Sequence, residues 1–129
     1  MIEWTRLLRR PEMIEDLYEV APVLRGFSLV EVCFVEEEES CLLRGTLSEF
    51  ADFPHPSWED DANRVGMRLW LEDIEDFEME GWDFENIVDL NISLDSKSGV
   101  IEVSAAGESL RFHAVCGALN IENVYAYYA

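Results

Sequence analysis

Two histidines, three cysteines and 28 carboxylates are the groups in this 129-residue sequence with the chemistry to hold a metal, relay a proton or attack a carbonyl. A nucleophilic triad needs a Ser or Cys beside a His that an acid orients. His55 lies in a Pro-rich stretch and His113 between Phe112 and Ala114, and neither is accompanied by a G-x-S-x-G elbow. Cys33, Cys41 and Cys116 are odd in number and lack C-x-x-C spacing. They signal neither a disulfide framework nor a zinc site, and read as small buried hydrophobes in a reducing compartment. Glu59-Asp60-Asp61 lacks the D-x-D-x-D-G spacing of a calcium loop. Phosphate-binding glycine loops and the H-E-x-x-H helix are also absent from the sequence. Two carboxylates about 5 or about 6.5–9.5 Å apart can cleave a glycoside, but with 28 acids a chance pair is nearly guaranteed. The expectation is a protein that is not an enzyme, with no catalytic residue, cofactor or metal ligand.

The acids carry information of another kind. Nine Lys and Arg leave a net charge of −19, and residues 49–89 hold fourteen of the acids against only Arg64 and Arg68. Such a field repels nucleic acid and anionic lipid and speeds encounter with basic partners. The expected partner is therefore a basic protein, and neither nucleic acid nor a membrane. Two groups of residues are candidates for binding it: Glu59, Asp60 and Asp61 in a long Pro-containing connection, and Asp76, Glu78, Glu80 and Trp82 on one face of a strand. The four glutamates Glu36–Glu39 read instead as a solvated turn that needs no ligand.

Residues 3–20 carry a helical pattern, with Trp4, Leu7 and Leu8 on one face and Met13, Ile14, Leu17 and Tyr18 forming an amphipathic stripe after Pro11. From Phe27 the period becomes two: Val30, Val32 and Phe34 alternate with Glu31, Cys33 and Val35, and Cys41, Leu43, Gly45 and Leu47 line the returning strand. Val65, Met67, Leu69 and Leu71 mark the next strand. Phe77, Met79 and Gly81 then alternate with the acids and Trp82, and strands follow around Val88–Leu94, Ile101–Ala105, Leu110–Ala114 and residues 119–128. The expected fold is mainly β, an antiparallel sandwich or open barrel of about eight strands with one or two short N-terminal helices. The expected organisation is a single domain over 1–129, with a helical start at 1–21 and an antiparallel meander over 27–128. No stretch approaches the ~20 apolar residues of a membrane helix, and Met1–Arg6 does not read as a signal peptide. The cytoplasm is the expected location, and the oligomeric state is left open.

The central block also has a particular order: Pro56-Ser57-Trp58, Asn63-Arg64-Val65, the alternating Met67, Leu69 and Leu71, then Gly81-Trp82. Trp4, Pro22-Val23-Leu24 and a strand pair precede it, and a hairpin and Phe112…Cys116 follow. This arrangement resembles the bacterial immunity protein 50 family over nearly the whole chain. The resemblance implies a mostly-β cytoplasmic protein, encoded beside a polymorphic secreted toxin, that neutralises this cognate toxin in the producing cell by binding it. It carries no binding residues over to this chain; the motif residues Trp58, Asn63, Gly81 and Trp82 can all be read as maintaining the fold, Asn63 by satisfying loop backbone groups. Two rival readings stand beside it. One is an acidic adaptor or nucleic-acid mimic for some other basic protein; the other is a small carboxylate enzyme.

Overall fold

The computed structural model describes residues 3–129. A 3₁₀ turn (Trp4–Leu7) and one short helix, α1 (Glu12–Glu15), precede eight strands. These are β1 (Phe27–Val35), β2 (Ser40–Thr46), β3 (Arg64–Glu72), β4 (Asp76–Glu80), β5 (Asn86–Leu94), β6 (Ile101–Gly107), β7 (Arg111–Cys116) and β8 (Ala118–Tyr127). They form one open sheet in the order β4-β7-β6-β5-β1-β2-β3-β8, with every pair antiparallel.

That order shows why the sheet folds back on itself. β3 and β4 stand six strand positions apart yet are joined by residues 73–75 alone. A flat sheet would separate them by about 28 Å, whereas three linking residues reach at most about 14 Å. β7 and β8 are equally remote in the order and are joined by Gly117. The sheet therefore doubles into two layers, β4-β7-β6-β5 against β1-β2-β3-β8, hinged where β1 and β5 share only the pairs Phe27↔Val88, Ser28↔Ile87 and Leu29↔Asn86.

Between the layers lies the core. Val65, Met67, Leu69 and Leu71 of β3 are wholly buried, because β2 and β8 flank the strand and the opposite layer covers its inner face. Facing residues include Leu90 and Ile92 of β5, Val103 of β6, and Phe112 and Ala114 of β7. Burying each such large side chain stabilises the fold by roughly 1.5–3 kcal/mol. Gly45 of β2 lets the Phe27 ring settle on its backbone, where a Cβ would collide with that ring.

The sequence and the structure part company in three places. The helical pattern of residues 3–20 yields only the 3₁₀ turn and α1, because Leu8 is used to bridge Leu119 of β8 and Arg9 N–H donates to the Leu119 carbonyl at 3.0 Å. The predicted meander is two three-strand meanders, β1-β2-β3 and β5-β6-β7, with β4 and β8 carried across to the opposite layer by short links. Finally, Val30 does not share the expected face with Val32: a register shift between Leu29 and Glu31 leaves Val30 exposed on a bulge.

Candidate protein-binding surface

β4 is a five-residue strand whose hydrogen-bonded neighbour is β7. Alternation along it turns Phe77 towards the core, where its ring stacks on Phe112 at 6.0 Å, and turns Asp76, Glu78 and Glu80 outward. The registers then carry each acid across the layer. Glu78 is opposite His113, which is opposite Ser104, which is opposite Asn91; the next row runs Glu80, Arg111, Ala106, Asp89. Together the two rows form a hollow of about 610 Å³ on the outer face. Its walls carry the carboxylates of Glu78, Glu80 and Asp89, and its floor mixes Asn91, Ser104 and His113 with Ala105, Ala106 and Phe112. His113 Nε2 lies 3.8 Å from a Glu102 carboxylate oxygen, while Arg111 makes no ion pair among the described residues.

The alternation expected to continue through Trp82 stops at Glu80. Gly81 adopts φ +84, and a Cβ there would run into the Ser109 carbonyl. The chain leaves the strand over the β6–β7 turn, and the 81–85 connection is tied down from inside. The buried Asn86 side chain accepts from Asp83 N–H (3.0 Å) and donates to the Asp83 carbonyl (2.8 Å), and the Asp83 carboxylate accepts from Phe84 N–H (2.8 Å). Trp82 is left about half exposed and Phe84 fully exposed.

The second acidic group lies elsewhere. Glu59 and Asp60 border a separate recess of about 390 Å³ with Phe50, Pro54, Pro56 and Trp58, on the connection between β2 and β3. Asp61 is exposed beside them. Trp58 packs edge-on to Phe50 at 6.3 Å and against the core. Asn63 donates to the Ala129 carbonyl (3.0 Å) and accepts from Ala129 N–H (2.9 Å), while its own N–H donates to the Tyr127 carbonyl, so it satisfies backbone groups as expected. His55 Nδ1 meets Ser57 Oγ at 2.7 Å, but Ser57 N–H donates to the same nitrogen, which makes this a turn contact. The structure thus gathers Glu78 and Glu80 into one hollow, keeps Asp76 on their face, and puts Trp82 beyond the strand end. None of the residues lining that hollow comes from the Glu59–Asp61 connection.

Among the described residues no group of three or more His, Cys, Asp or Glu is placed to hold a metal ion, and no helix is long and apolar enough to cross a membrane. What the surface offers is an acid-walled face beside two exposed aromatics.

The family model for immunity protein 50 matches residues 10–127. The chain belongs to the immunity protein 50 family. The match takes in α1 and all eight strands, so the hollow, the 81–85 connection and the Glu59–Asp61 recess all lie on family architecture. No curated protein and no solved structure matches the chain. Membership in this family gives a toxin as the general kind of partner. Sequence reading missed Asp89, Asn91, Arg111 and Phe84 as surface partners of β4. The first three come beside it only through pairing across the layer; Phe84 had a signal, the Trp82-Asp83-Phe84 spacing between a turn glycine and Asn86.

Proposed function

We propose that this chain neutralises its cognate toxin in the cytoplasm of the cell that makes the toxin, by direct binding through the acidic outer face of β4 and its neighbours. The observation that carries this reading is the pair of outward carboxylates, Glu78 and Glu80, lining a hollow on the outer sheet face of an immunity-family chain. Asp76 extends the face and Trp82 borders it. Complementary charge mainly raises the association rate and sets specificity, which suits a protein that must capture a basic toxin before the toxin reaches its target. Glu59, Asp60 and Asp61 belong to the steering field rather than to the contact, and the net charge of −19 acts with them. The same field disfavours nucleic acid as a direct ligand.

The test is co-expression with the product of the gene immediately upstream, then co-purification and association kinetics at low and high salt. A complex that rescues growth and associates more slowly as salt rises is the expected result. Reversing charge in Glu78→Lys/Glu80→Lys should slow association about tenfold and flatten its salt dependence. A chain that neither rescues growth nor forms the complex overturns the reading.

A further inference from the structure

Resting on the toxin-binding reading above, we infer that Phe84, with Trp82 beside it, is the apolar anchor of the interface, and that the partner presents an apolar pocket rimmed by Lys or Arg to receive it. Phe84 is the most exposed of the large hydrophobic residues, with its whole side chain in water. A floppy loop would let such a ring fold back on the protein. Here the Asn86 amide grips the Asp83 backbone from the buried side and the Asp83 carboxylate holds Phe84 N–H, so the backbone that carries the ring is fixed facing outward. Ordering that would otherwise oppose binding is therefore already in place.

Apolar surface continues next to it. Ile87 is exposed on the outward side of β5, and the β1–β5 register sets the exposed Val30 one residue beyond the last pair, on the side of the 81–85 connection. The charged residues around this patch include Glu80, Asp83, Glu85, Asp89 and Glu108, with Arg111 as a basic member, Arg25 next to the Gly26 that donates to Asp89, and Arg44 paired to Glu31 beside Val30. An aromatic knob inside an acidic ring is complementary to a hole inside a basic ring. A second copy of this chain would bring like charge onto like charge, and an anionic membrane would be repelled in the same way. Charge thus selects a basic protein as the occupant. In such an interface a central aromatic governs how long the complex lasts, and the surrounding charges govern how fast it forms.

The decisive variant is Phe84→Ala, measured with the upstream gene product as the probe. Because the ring touches solvent, the melting temperature should not change. Dissociation should become about tenfold faster or more, with the association rate and its salt dependence as in the unaltered chain. The opposite kinetic pattern is expected of Glu78→Lys/Glu80→Lys. A dissociation rate within about twofold of the unaltered chain, in a complex that does form, overturns the anchor and leaves toxin binding intact. Light scattering that shows a dimer of the unaltered chain, lost in Phe84→Ala, overturns it in favour of a second copy. If the unaltered chain does not bind the probe at all, toxin binding falls first and the anchor falls with it.

Discussion

Cys41 and Cys116 lie wholly inside the core, and burial pushes their thiols from the ordinary 9.0 up to about 12 and about 11 respectively. Burial also raises the Tyr18 phenol, whose hydroxyl donates to the Glu49 carbonyl at 2.7 Å. Each group is held protonated by the folded state, while the unfolded chain releases its proton near the ordinary value. Stability from this source is complete below pH 9 and drains away as pH climbs through about 11 to 12. The urea midpoint should therefore hold steady up to pH 9 and fall above it; a midpoint that rises over that range contradicts the burial. Under native conditions a thiol reagent should modify exposed Cys33 and spare the other two until the chain unfolds.

At the scale of elements, the end of β4 is the point on which the binding face turns. Gly81→Ala forces a Cβ into the Ser109 carbonyl at positive φ. It should cost about 2 kcal/mol or more, read as a lower urea midpoint, with the 81–85 connection displaced. A midpoint equal to that of the unaltered chain would show that the turn accommodates a side chain. β3 was legible from sequence because its inner positions are all large and apolar while its outer positions, Trp70 apart, are not, so a period of two admits one phase. β4 was legible for the same reason, up to Glu80. Its end was not, since the turn depends on Ser109, 28 residues further on. At the N-terminus the expected short helical elements are present, as the 3₁₀ turn and α1 with its buried Ile14, but the helical pattern does not show that Leu8 between them is laid against β8 by its bridge to Leu119. Phe84 was passed over because a phenylalanine is read as core by default, and the Asn86 clamp that overrides the default is invisible until β5 is in place.

For the whole molecule, −19 spread over a small fold is a standing internal repulsion. The surface ion pairs Arg6–Glu15, Arg9–Glu72 and Arg44–Glu31 relieve it locally and contribute little each. Salt at ~0.15 M cuts the reach of the field to about 8 Å, so the melting temperature of the isolated chain should rise by a few degrees between low and physiological ionic strength. A fall would mean that the ion pairs outweigh the repulsion. Salt therefore stabilises the chain alone while slowing its capture of a basic partner, and the two trends separate folding from binding in a single titration.

The long route between β3 and β8 bears on how the chain is made. β3 leaves the ribosome well before β8, with four strands translated in between. Until β8 arrives, β3 presents one unpaired edge beside the apolar side chains of Val65, Met67, Leu69 and Leu71. Leu8, made at the outset, waits longer still for Leu119. Pairings this distant make folding slow, in the millisecond-to-second range, and the nascent chain is sticky throughout. Supply of finished protein is then set by how well cellular chaperones shield that edge during translation, at a step that no substitution on the binding face would touch.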